Sequence, residues 1–468
     1  MKLSLRTIFE SQNCLLRRRN RIQFLATFLI NILTFIHGLG VGWMSPVMRD
    51  LKTEDSPLSF SVVVEEISWI GSVLGIGNVI GNILVGLMQN RVGRKLVLHS
   101  IAIPHLCFWL LAYLAESVEY LYVGRLLAGI AGGGGYVVLP IFISEIADTN
   151  IRGTLGSMVM LSVTMGILAG YVISTYVAYH TAPLCIMVLP VLFFVCNFFF
   201  PDTPHHLIRK GKSAAALHSF CFYKNLDVND SRALSEFDEL KMKLTKDREM
   251  ERRALSYKDF ITRPAFRAYG TAFALLLANQ FSGLFTFTSY MTDIFAASHT
   301  TLDENMCTIT IGVVQLMGNY TATLLCDKYG RKILLFVSCL GCAVSLVAFG
   351  CFTYFADNPD YAAHLTSVDW LPLLLMALDV FLGGIGLVGC LFVVLVEVFP
   401  AKIRSQALSF FVVCLSVSVF VTLKIFPICM EQWGISVTMW SCSGVAFCGF
   451  LYFCCFLEET KGKSLLDS

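Results

Sequence analysis

Apolar residues in this chain neither alternate nor keep to one face of short helices. They come in unbroken runs about twenty residues long, parted by short polar turns. A helix of that length spans the hydrocarbon of a bilayer. Twelve such spans start near Ile22, Ile67, Leu96, Tyr120, Leu155, Pro183, Arg267, Met306, Ile333, Trp370, Gln406 and Ile435. Backbone polar groups in lipid must be satisfied within the segment, so the pattern predicts an all-α membrane bundle.

The polar segments set the predicted topology. Of the 35 basic residues, only Arg49 and Lys52 fall on one side of the twelve-span scheme, and Arg125 and Lys424 fall within spans. The rest gather on the other side, which the positive-inside rule assigns to the cytoplasm together with both ends of the chain. The division reads as a cytoplasmic segment 1–21, a six-helix half 22–200, a cytoplasmic connector 201–266, a second half 267–457 and a cytoplasmic tail 458–468. The first run, Ile22–Trp43, is long enough to span and lacks a small-residue cleavage site, so it reads as a retained helix.

Motifs repeat across the two halves. Gly86-Leu-Met-Gln-Asn-Arg-Val-Gly-Arg-Lys95 lies between spans 2 and 3, and Cys326-Asp-Lys-Tyr-Gly-Arg-Lys332 lies between spans 8 and 9. Glu145 and Arg152 recur as Glu397 and Arg404, and Asp202-Thr as Glu459-Thr. Each second copy lies roughly 250 residues downstream, the mark of a duplicated six-helix unit. These motifs, in this order over nearly the whole chain, resemble the sugar porter family of the major facilitator superfamily. Pro400-Ala-Lys-Ile-Arg404 and Ile151-Arg-Gly-Thr-Leu-Gly156 look most like its insect trehalose and hexose facilitators. The resemblance implies a two-half, twelve-helix transporter, with short helices in the connector beneath the bundle.

Composition narrows the alternatives. The 468 residues are 56% hydrophobic and only 15% charged, too little polar surface for a soluble core of this size. A net charge of +2 gives no footing for nucleic acid. The 17 cysteines are scattered mostly through apolar runs; Cys339-Leu-Gly-Cys342 has no second pair, so buried inert thiols are expected and no metal or cofactor. No nucleophile–base set or catalytic carboxylate pair appears, which argues against an enzyme.

A transporter needs a solute site near mid-membrane and a reversible seal at each face. The resemblance places Arg91, Arg94, Lys95, Glu145 and Arg152 together as one half of a cytoplasmic gate, with Asp327, Arg331, Lys332, Glu397 and Arg404 as the other. Glu145 and Glu397 gain nothing from the positive-inside rule, so they need a partner. Asn90 stands where the family has Asp, so the first latch is expected to be weaker than the second, which keeps Asp327; Asn90→Asp is expected to shift the chain toward an outward-open form.

For the solute site, Asn279-Gln-Phe-Ser-Gly283 resembles the family's Gln-Gln-Leu-Ser-Gly. This makes Gln280 and Asn279 the leading sugar-binding candidates, with Gln315 and Tyr290 beside them. Amides donate and accept along a ring of hydroxyls, and an aromatic covers its apolar face. Other family groups are replaced by Phe285, Met160, Phe392, Leu415 and Ser416, which leaves the pocket more apolar. Span 10 also lacks the family's prolines, so loss of its kink is expected.

Proton coupling needs a titratable group in the membrane. Gly40 occupies about the place of the symporters' Asp, which favours uniport. His37 and Asp379 remain as possible coupling groups; Asp379 could face an aqueous vestibule, pair with Lys424, or be protonated. The reading is a monomeric plasma-membrane sugar facilitator acting on trehalose or a hexose. A solute sensor without flux and a proton-coupled symporter are the alternatives.

Overall fold

The computed structural model describes residues 18–53, 56–251, 257–400 and 402–459. Most of the two terminal segments therefore lies outside the described residues. Within them the chain is helical, with no strand. Six long helices come first: α1 (Arg21–Lys52), α2 (Val64–Val92), α3 (Arg94–Tyr113), α4 (Val118–Ile146), α5 (Arg152–Tyr176) and α6 (Thr181–Asn197). Three polar connector helices follow: α7 (Pro204–Arg209), α8 (Ser213–Lys224) and α9 (Ser231–Glu251). The second group holds α10 (Arg263–Phe281), α11 (Leu284–Ala296), α12 (Glu304–Tyr329), α13 (Arg331–Ala356), the short α14 (Pro359–Leu365), α15 (Leu371–Gly383), α16 (Leu391–Val398) and α17 (Arg404–Phe456).

Among the described residues, ten helical stretches are long and apolar enough to cross a membrane, with α10–α11 and α15–α16 each acting as one stretch. α6 adds a shorter apolar helix. α17, at 53 residues, far exceeds what one crossing needs and breaks at Gly434, whose φ of 79° and ψ of 166° are not helical. The starts expected from the sequence fall inside helices, save Trp370, which caps α15. The expectation of a straight tenth span does not hold. Without the family's prolines near its end, α15 still runs into a π-helical turn over Gly384–Val388, where Gly383, Gly384, Gly386 and Gly389 relax the backbone.

Small residues allow the close helix pairs. α2 packs on α4, and α1 on α5. A Cβ on Gly77 would lie 2.2 Å from the Leu126 carbonyl oxygen, and one on Gly166 2.2 Å from that of Phe35. No side chain other than hydrogen fits there, as expected where van der Waals packing drives helix association in lipid. The two groups meet along α2 with α17, α5 with α12, and α1 with α11.

The helices that start at the connector end of the bundle each begin with arginine: Arg21, Arg94, Arg152, Arg263, Arg331 and Arg404. This opposes the helix dipole, which favours anions at an N-terminus. Four of these arginines turn the conflict to use. Each donates to the carbonyl five residues back, at the end of the preceding helix: Arg94 to Gln89, Arg152 to Ala147, Arg331 to Cys326 and Arg404 to Phe399. The cation then lies at the negative end of the neighbouring dipole.

The connector is fastened beneath the first group. The Arg19 guanidinium grips Glu236 with two bonds of 3.0 and 2.6 Å and also reaches Asp148 at 3.0 Å. Lys224 contacts the same two carboxylates at 3.0 Å each. The arginine hydrogen bonds hold the Glu236 carboxyl well below its usual range. On the other side, Lys402 of the second group meets Asp259 at 3.1 Å.

Gly77→Ala is expected to abolish surface delivery or lower the melting temperature by several degrees, because the new methyl meets backbone. Gly86→Ala, where nothing lies within 4 Å, is expected to behave as the parent. Surface labelling and thermal denaturation in detergent check the pair.

Candidate functional site

At the connector end both copies of the glycine–arginine–lysine turn have the same construction. Gly93 and Gly330 take φ of 101° and 88°, conformations that favour glycine. Each presents the first backbone N–H groups of the next helix to a carboxylate. Asp202 accepts from the Lys95 amide at 3.3 Å. Glu459 accepts from the Arg331 and Lys332 amides at 3.0 and 3.1 Å. An anion on free N–H groups at a helix start is the arrangement the dipole favours. The echo of Asp202-Thr in Glu459-Thr is thus the repeat of one cap.

Beside each cap lies an ion pair. Arg94 donates to Glu145 at 2.8 Å with both side chains nearly buried, and Thr203 donates to the other Glu145 oxygen. Arg331 donates to Glu397 at 2.9 Å. Not all the residues expected in this gate join it. Arg91 is exposed and forms no ion pair among the described residues. Arg152 points to the Ala147 carbonyl in the pattern above, over a long 3.5 Å, while Arg404 donates to the Phe399 carbonyl at 3.1 Å and makes a further contact as well. Lys95 donates to the Phe198 carbonyl at 2.9 Å. The side chains of Asn90 and Asp327 lie outside the described ones, so the expected difference between the two latches falls there as well.

The two helix groups are held together at the opposite, far end. Lys52 pairs with Asp293 at 2.9 Å and Arg49 with Glu304 at 3.4 Å. Ser45 bonds the Thr292 hydroxyl at 3.0 Å, and Thr292 continues to Thr308 at 3.1 Å. Lys424 donates to Ser68 at 2.7 Å and lies 3.9 Å above the Trp69 ring. Tyr171 donates to the Thr288 carbonyl at 2.6 Å. Sequence reasoning missed this seal. Its signal was present in Arg49 and Lys52, the two basic residues set apart from all others, facing acids at the ends of spans 7 and 8.

Between the two ends lie the amide candidates. The seventh span breaks at Gly283, φ 93°, between α10 and α11. Just before the break, Gln280 donates to the Asn279 side chain at 2.7 Å, and Asn279 donates to the Leu387 carbonyl of the π turn at 2.9 Å. The two interrupted spans are thereby joined at their irregular points, where freed backbone needs such partners. The Gln280 side-chain amide oxygen is buried without a partner among the described residues. Gln315 reaches Thr288 at 3.4 Å. Tyr290 is fully buried, donates to the Leu423 carbonyl at 2.9 Å and stacks on Phe426. The structure joins Asn279 to Gln280 and puts Tyr290 on α11 and Gln315 on α12, each bonded elsewhere. A further amide, Asn82, bonds Ser416 across the two groups at 2.9 Å.

The ionisable candidates are inside helix packing. His37 is buried against His105 and Tyr136, with ring centroids 6.3 and 5.5 Å away. Asp379 is fully buried, and neither carboxyl oxygen has a hydrogen-bond partner among the described residues. An aqueous vestibule for it is therefore excluded in this form, and so is pairing with Lys424, which is engaged by Ser68. Arg125, also fully buried, donates to the Gly40 carbonyl at 2.8 Å, the Ile70 carbonyl at 3.2 Å and the Met44 sulfur at 3.3 Å. Among the described residues it staples α4 to α1 and α2 through neutral acceptors.

The geometry is that of a two-group membrane transporter with a repeated latch at one end and an inter-group seal at the other. Residues 26–467 match the family described as sugar (and other) transporter, and the chain belongs to that family. It is similar to the facilitated trehalose transporter Tret1 of Culex quinquefasciatus, 28% identical over 95% of this chain and 84% of that protein. The Tret1 of Polypedilum vanderplanki is 29% identical over 95% and 86%. Among solved structures, the fold is shared with the xylose transporter XylE from E. coli in a partially occluded inward-open conformation. That match has a TM-score of 0.75 at 19% identity, covering 93% of this chain and 100% of that one. XylE bound to 6-bromo-6-deoxy-D-glucose, a proton:xylose symporter, aligns with TM-score 0.72 at 22% identity, covering 96% and 98%.

Two predictions follow from the ends of the bundle. Arg94→Ala leaves Glu145 buried without its cation and is expected to cost about 3–5 kcal/mol of stability. Lys95→Ala is expected to cost under about 1 kcal/mol; thermal denaturation separates the two. Asp293→Asn removes a partly buried inter-group pair of about 1 kcal/mol and is expected to raise far-end labelling of an introduced cysteine about fivefold. Exchanging the charges, Lys52→Asp with Asp293→Lys, is expected to restore parental labelling.

Proposed function

We propose that the chain is a monomeric plasma-membrane uniporter that moves a sugar, trehalose or a hexose, by alternating access. In this reading the bundle makes twelve crossings, counting α6 as one and α17 as two on either side of Gly434. The halves 22–200 and 267–457 rock about the solute, and the connector 201–266 lies in the cytoplasm with both termini. The observation that carries the reading is the pairing of far-end contacts between the groups with latches inside each group at the connector end. That is an inward-facing form, sealed outside and bistable at the gate.

Glu145 with Arg94 and Glu397 with Arg331 are the gate pairs in this proposal, with Arg152 and Arg404 fastening the adjoining helix ends and Arg91 and Asp327 flanking them. Gln280, Asn279, Gln315 and Tyr290 form the solute site. Its amides exchange helix-to-helix bonds for sugar hydroxyls when the far end opens. The relatives' names, facilitated trehalose transporters, support the solute class. Uniport is supported by Arg125, whose partner at position 40 is a glycine carbonyl and not a carboxylate. One observation favours a second reading, proton coupling: the partnerless carboxyl of Asp379. His37, packed between His105 and Tyr136, is the weaker coupling group.

Uptake of labelled trehalose and glucose in oocytes at two external pH values separates these readings. Uniport is expected to give saturable uptake with no pH dependence, and Gln280→Ala to raise KM about fivefold, the worth of one neutral hydrogen bond. Uptake that grows with an inward proton gradient and loses that dependence in Asp379→Asn would favour the symporter. No uptake from protein shown at the surface would point to a sensor.

A further inference from the structure

A cavity of about 770 Å³ lies where the connector-end tips of α4 and α5 face the connector helices. Its lining comes from the first helix group, the residues just before it, and α7–α9, so it is separate from the passage between the two groups. Its volume is in the range of small-molecule sites, about 300–1,000 Å³. Its lining includes the cations Arg152, Arg209 and Lys243 and the His205 ring. Arg152 is available there because Glu145, its expected partner, is taken by Arg94 and Thr203. Lys243 is exposed on α9. The His205 Nδ1 is buried with no hydrogen-bond partner among the described residues. Burial, and then the charges of Arg209, Arg94, Arg152 and Lys243, push this imidazole down to about 4. Near neutral pH it is therefore uncharged, with one ring nitrogen available as a donor and the other as an acceptor. Asn150, two residues before Arg152, and Glu239, one turn before Lys243 on the same face of α9, line the cavity beside these cations and can bind hydroxyls. Asp148 and Glu236 also line the cavity, but both are already paired with Arg19 and Lys224.

We propose that this cavity binds a phosphorylated polyol, with the phosphate monoester on Arg152, Lys243 and His205 and the hydroxyl groups on Glu239 and Asn150. Arginine and lysine hold phosphate oxygens with charge-assisted bonds, and the arginine fork adds orientation. A bound phosphate bridges the start of α5 to α9, and so clamps the connector to the first helix group next to the Arg94–Glu145 pair. This chemistry has two sources, a soluble sugar phosphate and an inositol phosphate headgroup in the membrane. The site does not depend on which solute crosses the bundle.

The test uses full-length protein in nanodiscs, either of neutral lipid or of neutral lipid with phosphatidylinositol 4-phosphate. Glucose 6-phosphate is titrated into the neutral discs by calorimetry, and the melting temperature is read in both lipid compositions. Lys243→Gln is the test variant, since an exposed lysine on a connector helix is not needed for folding. Glucose 6-phosphate binding that weakens about tenfold in Lys243→Gln, the loss of one charge-assisted bond, supports the site with a soluble ligand. No binding of glucose 6-phosphate, but a rise in melting temperature with phosphatidylinositol 4-phosphate that is lost in Lys243→Gln, supports the same site filled from the membrane. Binding or stabilisation that is equal in parent and variant, or absent in both compositions, overturns the proposal.

Discussion

A bond from a helix-starting arginine back to the carbonyl five residues earlier recurs at four turns and orders the connector end of the bundle. Arg94, Arg152, Arg331 and Arg404 all make it. A basic residue is where topology wants it, at the end of a span, but at a helix start the dipole opposes it. Folding the guanidinium onto the preceding helix end turns a repulsion into an attraction of about 0.3–1 kcal/mol. In the glycine turns the exposed N–H groups are then left to a carboxylate, Asp202 or Glu459, that comes from beyond the sixth or twelfth expected span. The cap therefore ties the third helix of each group to the chain that leaves that group. Duplication preserved the whole arrangement because its parts satisfy one another.

The far end is built differently. Its contacts join one group to the other and use pairs that water can reach, such as Lys52 with Asp293 and Arg49 with Glu304. Pairs that water can reach in this way are each worth about 1 kcal/mol or less. The connector-end pair Arg94–Glu145 is nearly dry and lies inside one group. Strong bonds within groups and weak bonds between them let two rigid bodies part without unfolding.

The fold was legible in the sequence because membrane spans are written as length and composition. The repeated turns gave the two-group plan, and within each repeat one arginine of the turn, Arg94 or Arg331, pairs with the acid, Glu145 or Glu397. Side-chain direction was not legible. Arg91 shares a turn with Arg94, and Arg152 shares a repeat with Glu145, yet one faces solvent and the other a cavity, because helix rotation and not spacing decides which guanidinium meets Glu145. The π turn at Gly384–Val388 was read wrongly for a related reason: proline loss implied a straight helix, but four glycines relax the backbone by another route. Asp379 could not be placed from sequence, since its enclosure depends on neighbours far along the chain. The far-end seal went unseen because its acids and bases belong to different halves, and no motif links them.

Arg125 has an electrical consequence. Its guanidinium carries a full charge and, among the described residues, is held by neutral acceptors, Gly40, Ile70 and Met44. It is rigidly part of the first helix group. When that group tilts, a fixed charge is displaced in the membrane field, where a full crossing is worth about 2.3 kcal/mol per 100 mV. A shift of a tenth of the thickness contributes about 0.2 kcal/mol at that voltage. Even with an uncharged solute, the balance between the two facing forms therefore depends on the membrane potential.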